Sequence, residues 1–305
     1  MTVHHIEPEE GFVHFDFSAD REPVLTVDSG DTVVVRTLDA AGFLAPTGGP
    51  ERPPRLKEDA NGHALCGPIA VRGARPGQTL EVELHEIRPA RWAFTGVGIQ
   101  SAKALGIDDE SPFYIHWDID ADAGVATDRG GHRVKLGPFM GVMGMPPAEP
   151  GAHATAPPRF CGGNLDCKEL VAGTSLFLPV SVAEALFSIG DGHAAQGDGE
   201  VSTMAIECPM ERVEFVLRLH DEPVLTMPRA RTTDAWLTFG VDEDLDEAVR
   251  IATNQMLDLM QAQLGVGRQE ALVLASVVVD IRVTQVVNGV VGAHAVLRDD
   301  AIQRA

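Results

Sequence analysis

The sequence is short of basic residues. It carries 24 lysines and arginines against 45 aspartates and glutamates over 305 residues, a formal net charge of −21. So acidic a surface repels polyanions, which speaks against nucleic acid and anionic membrane as partners. Aromatic residues are also few: one tyrosine, three tryptophans and twelve phenylalanines. Little material is left for stacking the bases of single strands. Only four cysteines occur, Cys66, Cys161, Cys167 and Cys208. None forms a Cys-x-x-Cys pair, so a zinc ribbon or thioredoxin-like motif is excluded. Their low density argues against a disulfide scaffold and for a reducing compartment. Long apolar runs are missing as well. The longest, Ala271 to Val279, stops at Asp280, too short for a membrane helix. The opening residues 1–18 place acids where a secretory signal has a basic and then an apolar stretch. The expectation is a soluble cytoplasmic protein.

Glycine and proline are plentiful, 31 and 20, about one residue in six, which points to short elements joined by many turns. Residues 1–45 read as strands, with β-branched Val24, Thr26 and Val33 to Val35 around a turn at Asp28 to Asp31. Residues 46–62 read as a loop. Leu80, Val82 and Leu84 alternate with Glu81, Glu83 and His85, which predicts a strand with one wet face. Residues 95–165 read as largely irregular, and 174–182 and 201–219 as strands. The helical pattern comes late. Acids at 242–244 precede Leu245, Val249, Ala252, Met256, Leu259 and Leu264 at helical spacing, and Gly265 supplies a stop. A shorter helix near Gln269 runs into a strand at 277–283. The fold class is therefore mainly β with one long helix in the C-terminal region and smaller α+β elements. No linker divides the chain, so residues 1–305 form one unit, with two intertwined subdomains at about 1–160 and about 161–305.

The densest polar segment is Gly190-Asp-Gly-His-Ala-Ala-Gln-Gly-Asp-Gly-Glu200. It sets Asp191, His193, Gln196, Asp198 and Glu200 among glycines and between apolar flanks that end at Ile189 and resume at Val201. Glycine lets backbone approach a ligand closely, and carboxylates with an imidazole are ligands for zinc or another divalent ion. A plain acidic turn is the bland alternative. A second segment, Cys161-Gly-Gly-Asn-Leu-Asp166, has Asn164 and Asp166 on one face if extended. That pair suits a metal ligand beside a substrate-orienting amide, or equally a turn with Asp166 as a helix cap. Cys167, Lys168 and Glu169 are consecutive and so cannot converge as a Cys-Lys-Glu triad. Cys167 reads better as a buried small residue.

These segments and their surroundings resemble the acetamidase/formamidase family. The resemblance includes His14-Phe-Asp16, Pro23 to Val27, Gly30 to Val33 and Asp39. It continues through His63 to Ile69, Gly73 to Leu80, Gly137 to Gly144, Gly162 to Asp166 and Leu178 to Val180. It is most specific over Ala185 to Glu200 and extends to Val279-Asp280 and Gln285 to Asn288. The chain departs from the pattern at Cys66, where the family has Thr, and at Ala183-Glu184, where a Pro-Gly pair is usual. The resemblance implies a β-sandwich or barrel-like fold, a homo-oligomer, and a metal-dependent amidohydrolase that cleaves a short aliphatic amide to carboxylate and ammonia.

An amide is a poor electrophile and neutral water a poor nucleophile, and a divalent ion addresses both. The expected ion is zinc, with calcium or manganese as alternatives. Asp166 and His193 are the expected core ligands, with Asp191 and His63 as further candidates. Glu200 is the expected general base and Asp198 its reserve. Asn164 or Gln196 would orient the amide or the developing oxyanion. The expected substrate is a small neutral amide, which an acidic protein does not repel. A dimer or a trimer would serve equally. The alternatives are a bulkier amide, a jelly-roll metal enzyme, or a protein of the same fold that binds a metal or an amide without turnover.

Overall fold

In the computed structural model, residues 1–43 and 62–303 are described. Among them the chain forms nineteen strands and three helices. In the first part these are β1 (Val3–Ile6), β2 (Val13–His14), β3 (Leu25–Val27), β4 (Thr32–Val35), β5 (Leu65–Val71), β6 (Thr79–Pro89) and β7 (Trp92–Gly96). Helix α1 (Ile99–Ala104) leads to β8 (Tyr114–Asp120), β9 (Val125–Asp128), β10 (Arg133–Lys135), β11 (Phe139–Gly144) and β12 (Gly162–Asn164). Then come β13 (Ser175–Pro179), β14 (Phe187–His193), β15 (Met210–His220), β16 (Arg229–Arg231) and β17 (Ala235–Asp242). The chain closes with α2 (Leu245–Leu264), α3 (Arg268–Val278), β18 (Val279–Gln285) and β19 (Val291–Arg298).

The strands make a mainly β fold of three sheets. The largest has nine strands in the order β1-β4-β15-β6-β13-β16-β17-β19-β18, so early and late parts of the chain interleave. A six-stranded sheet runs β12-β11-β14-β5-β2, with β3 added beside β5. A four-stranded meander runs β10-β9-β8-β7. The nine-stranded and six-stranded sheets share one core. Leu80, Val82 and Leu84 of β6 and Phe215 of β15 belong to the same buried cluster as Ile69 of β5, Met140 of β11 and Phe187 of β14. Phe187 and Phe215 meet edge to face at 5.7 Å. Each such side chain contributes about 1.5–3 kcal/mol by leaving water.

The alternation read at 79–84 is the alternation observed, buried at Leu80, Val82 and Leu84 and less buried between. The late helix begins as its acids suggest. Asp244 is the N-cap, its carboxylate accepting from the backbone N–H groups of Asp246 and Glu247, and Gly265 closes the helix at φ 66°. Ala252, Met256 and Met260 face β17 and β19. Gly240 permits this approach, because a Cβ there would lie 2.0 Å from the carbonyl oxygen of Ala248.

Three expectations differ from what is observed. Residues 95–165 are far from irregular, since they hold α1 and five strands, β8 to β12. Buried Trp117 and Ile119 alternate with exposed Asp118 and Asp120, but the next two strands are only four and three residues long, too short for a pattern to show. The strand expected over 201–219 starts only at Met210, because 201–209 loops back against β14 and β7. The loop expected over 46–62 lies, apart from Gly62, outside the described residues.

Candidate active site

β11 is the floor of the site. It pairs with β12 on one side and β14 on the other, with Val142 opposite both Asn164 and Gly190. Asn164 ends β12 and Asp166 follows it, while Asp191 and His193 sit on β14. The chain then turns through Glu200 and returns so that Glu207 bridges to both His193 and Phe94. That return strand joins the six-stranded sheet to the meander. The loop carrying Glu200 is tied down independently. Gly199 donates to Thr284 at 3.0 Å and accepts from Val286 at 3.1 Å, at the end of β18.

Asp166, Asp191, His193, Glu200 and Glu207 are all buried, at 2, 3, 1, 7 and 5% exposure. Four carboxyl groups and one imidazole therefore share a space that water hardly reaches. His193 Nε2 stands 3.3 Å from Asp191 Oδ1 and 3.3 Å from Glu207 Oε2, and its Nδ1 is 4.0 Å from Asp166 Oδ1. His63 Nε2 is 3.9 Å from Asp191 Oδ2. Asn288 Nδ2 donates to Asp166 Oδ2 at 3.2 Å. Asn288 is placed by Gln285, whose side-chain oxygen accepts from the backbone N–H groups of Val287 and Asn288.

The backbone is strained where the acids are held. Asp166, Asp191 and Glu200 have φ of 49, 60 and 47°, a left-handed region that non-glycine residues seldom adopt. Such strain persists only where surrounding structure imposes it, and it gathers at functional sites. Gly141 of β11 leaves the room. A Cβ there would lie 2.5 Å from Asp191 Oδ2, 2.8 Å from Asp166 Oδ1 and 2.8 Å from His193 Cε1.

The electrostatics are divided. Burial, and then the charge of Glu200, push the Asp166 carboxyl well above its ordinary pKa. Burial, reinforced by Glu207 and Asp191, pushes Glu200 up to about 8. Burial acts to raise Asp191 too, but His193 and then His63 outweigh it and hold that group below the usual carboxylate range. Burial acts to lower His193, yet Glu207 and Asp191 prevail and hold it well above its ordinary value. The acids thus compete for too little positive charge.

Among the described residues, several buried atoms here find no hydrogen-bond partner: Asn164 Oδ1, Asp166 Oδ1, His193 Nδ1 and Glu207 Oε2. A buried polar atom left unpaired is costly. Asp166, Asp191 and His193 bring one donor atom each within 4.8 Å of one another, and His193, Glu200 and Glu207 do the same. Unpaired carboxylate and imidazole atoms, a glycine gap at their centre and an excess of acid all fit a divalent cation. One imidazole among oxygens suits zinc or manganese better than calcium, which takes oxygen ligands.

A cavity of about 290 Å³ opens onto this cluster. Its polar side is Asp191, Glu200, Glu207, His63, Asn164 and Asn288, and its apolar side includes Phe43, Phe94, Tyr114 and Met204. Of the residues singled out from sequence, Asp166, Asp191, His193 and Glu200 converge, with Asn164 and His63 at the cavity wall. Asn164 Nδ2 donates to the carbonyl of Ala156 at 3.0 Å, and its oxygen is buried without a hydrogen-bond partner among the described residues. Gln196 instead grips the backbone carbonyl of Asp166 at 2.8 Å and does not line the cavity. Asp198 is not brought in: it pairs with Lys168 at 3.0 Å on the half-exposed side of the loop. Cys167 is fully buried while Lys168 points outward, so the two share no site. Glu207 and Asn288 were missed as site residues. Glu207 sat inside the apolar flank of Ile206 and Cys208, and a lone acid in such a run was the available signal.

The whole of this site falls within a match to the model of the Acetamidase/Formamidase family, over residues 3–152 and 148–297. The chain belongs to the Acetamidase/Formamidase family. It is 24% identical to the formamidase of Methylophilus methylotrophus over 247 residues, 64% of this chain and 60% of that one. It is 28% identical to the acetamidase of Mycolicibacterium smegmatis over 202 residues, 46% and 49% of the two chains. The chain thus spans about half to three-fifths of the length of these curated relatives. Solved structures match throughout. A crystal structure from Thermoanaerobacter tengcongensis, described as a predicted acetamidase/formamidase, superposes with a TM-score of 0.87 at 26% identity, covering 98% of this chain and 96% of that one. The Bacillus halodurans acetamidase superposes at 0.83 and 27% identity, covering 96 and 97%. The γ-lactamase of Delftia acidovorans, at 21% identity and 0.63, shares the fold.

Proposed function

We propose that the protein is a metal-dependent amidohydrolase that cleaves the C–N bond of a short aliphatic amide to a carboxylate and ammonia. Family membership supports the reaction class, as do relatives named formamidase and acetamidase. The observation that carries the metal is the buried acidic cluster with its unpaired oxygen and nitrogen atoms around Gly141.

In this reading Asp166, Asp191 and His193 hold the ion, with zinc the preferred identity and manganese or calcium behind it. When bound, a divalent ion supplies Lewis acidity to the amide carbonyl and to water. Glu200 stands at the cavity wall and serves as the proton carrier, accepting from the attacking water and donating to the leaving nitrogen. Glu207 is fixed by the backbone N–H of Ala205 at 2.8 Å and holds His193 in place. The free oxygen of Asn164 accepts from the amide NH₂, which orients the leaving group. The Thr155 hydroxyl accepts from the His63 backbone N–H and, in the neutral tautomer this reading takes, donates to His63 Nδ1, both at 2.8 Å. That tautomer puts a hydrogen on His63 Nε2, on the cavity side, where it can donate to the developing oxyanion. The same reading takes the protein as cytoplasmic and as a homo-oligomer, dimer or trimer.

A second reading, a bulkier amide, is favoured by the cavity. Acetamide displaces two or three waters' worth of volume, about 60–90 Å³. The cavity holds about 290 Å³ and is walled on one side by Phe43, Phe94, Tyr114 and Met204. Ammonia release from formamide, acetamide, propionamide and a branched or aromatic amide, with chelator and with zinc restored, tests both readings. Release abolished by chelator and restored by zinc supports the mechanism, and the best substrate decides between small and bulky. Release indifferent to chelator would remove the metal from it.

A further inference from the structure

A second cluster lies on the far side of the Asp166 turn. Cys167 Sγ is 3.3 Å from Glu169 Oε2, and His294 Nε2 is 3.6 Å from that same oxygen. The three donor atoms lie within 4.8 Å of one another. Cys167 and His294 are completely buried. We infer that Cys167, Glu169 and His294 form a second metal site, for zinc or a similar borderline-soft divalent ion, separate from the acidic cluster.

The argument rests on His294. Its ring is buried at 0% exposure, and among the described residues its Nε2 has no hydrogen-bond partner. Its other nitrogen meets the Thr284 hydroxyl at 2.7 Å. A ring nitrogen steadied by an outer hydroxyl, with the opposite nitrogen aimed at a thiol and a carboxylate, is how a protein presents a metal-ligating histidine. The spacing agrees. Ligand atoms around a tetrahedral zinc stand about 3.3–3.7 Å apart, given bonds of about 2.0–2.3 Å. Arg282 donates to Glu169 Oε1 at 2.7 Å, which fixes the carboxylate and leaves Oε2 for the ion. Glu169 also lines a surface groove with Arg282, while Cys167 and His294 are fully buried, so an ion would have to enter past the Glu169 carboxylate. The donor set differs in kind from the first site, since a sulfur replaces a second carboxylate and selects a softer ion. Binding exchanges the thiol proton for the metal, so one proton is released to solvent. An ion here would tie the turn that carries Asp166 to β18 and β19, bracing the first site from behind.

Cobalt(II) titration of the purified full-length chain tests the inference. A thiolate ligand gives cobalt an intense near-ultraviolet charge-transfer band, which carboxylates and imidazole do not. The expected result is a second equivalent of cobalt per chain, accompanied by that band. The band should vanish in Cys167→Ser and in His294→Gln, leaving one equivalent bound, and persist in Cys208→Ser. Absence of the band from the unaltered protein would overturn the inference, and this needs no variant to fold. So would a band undiminished in Cys167→Ser. Neither outcome bears on amide turnover, so this site and the proposed reaction stand or fall separately.

Discussion

Gly141 offers the sharpest test of the acidic cluster, because a single methyl group can be aimed at it. In Gly141→Ala the new carbon would arrive 2.5 Å from Asp191 Oδ2 and 2.8 Å from both Asp166 Oδ1 and His193 Cε1. Non-bonded contacts settle at about 3.5 Å, so Asp191 must retreat by about 1 Å and Asp166 and His193 by about 0.7 Å. They cannot do so easily. Asp166 and Asp191 are held in left-handed backbone, and His193 is packed edge to face on Phe139 at 5.0 Å. The φ of Gly141 is not in the left-handed region, so alanine costs nothing in the backbone. It even gains about 0.4–1 kcal/mol by stiffening the unfolded chain. Overpacking opposes this at about 1–3 kcal/mol. The net expectation is a loss of about 1–2 kcal/mol in stability of the metal-free protein. Function should suffer more, because a 1 Å displacement of reacting groups costs about 100-fold in rate. Thermal unfolding, metal stoichiometry after dialysis, and kcat/KM for ammonia release together read the effect. Wild-type turnover and metal content in a folded Gly141→Ala protein would refute the idea that these three side chains grip an ion.

Three further outcomes are expected. Glu207→Gln should lower kcat/KM by about 10–100-fold while Asp198→Asn stays within a few-fold of the unaltered protein, since of the two only Glu207 touches His193; equal losses measured by ammonia release would contradict the placement. His14 donates from Nδ1 to the carbonyl of Asp16 and accepts at Nε2 from Ser188, and burial, then Arg21, lowers its pKa to about 4. Its folded value lies below its unfolded one, so it contributes stability above about pH 6.5 that is lost as pH falls toward 4, about 3 kcal/mol in all; chemical unfolding from pH 7 to 4 should show this slope, and His14→Gln should flatten it. Asp244→Ala removes the N-cap of α2 and should cost about 1 kcal/mol, read as a lowered urea midpoint at unchanged slope.

Legibility in the sequence followed the length scale of the cause. α2 was readable because capping, periodicity and stop all lie within its own residues. Strand β6 was readable because one sheet face is drier than the other. The meander β7 to β10 was not, since β9 and β10 are only four and three residues long and owe their form to pairing with neighbouring strands. Within the site, Asp166, Asp191, His193 and Glu200 stood out because glycines and acids crowd together around them. Asp198 looked equally suitable by that criterion, yet the turn at Gly199 sends it to Lys168. Which acid faces inward is decided by backbone angles, and the left-handed φ values at Asp166, Asp191 and Glu200 leave no mark on residue type. Glu207 and Asn288 come from distant segments whose approach only the sheets determine.

The wide separation of those segments has a consequence for when the ion can be captured. His63, Asp166, Asp191, Glu207 and Asn288 are spread over most of the chain, and the contact from Asn288 to Asp166 alone spans 122 residues. Contacts so distant form late, because loop closure must precede them. Until then each acid is an ordinary solvated carboxylate with little hold on any cation. On the proposed function, metal choice is thus deferred to the finished fold, and the ion that enters is set by what surrounds the completed protein rather than by what meets the chain as it is made. Protein refolded in zinc and protein refolded in manganese, both then moved into one and the same mixture of the two ions, should therefore converge on the same occupant.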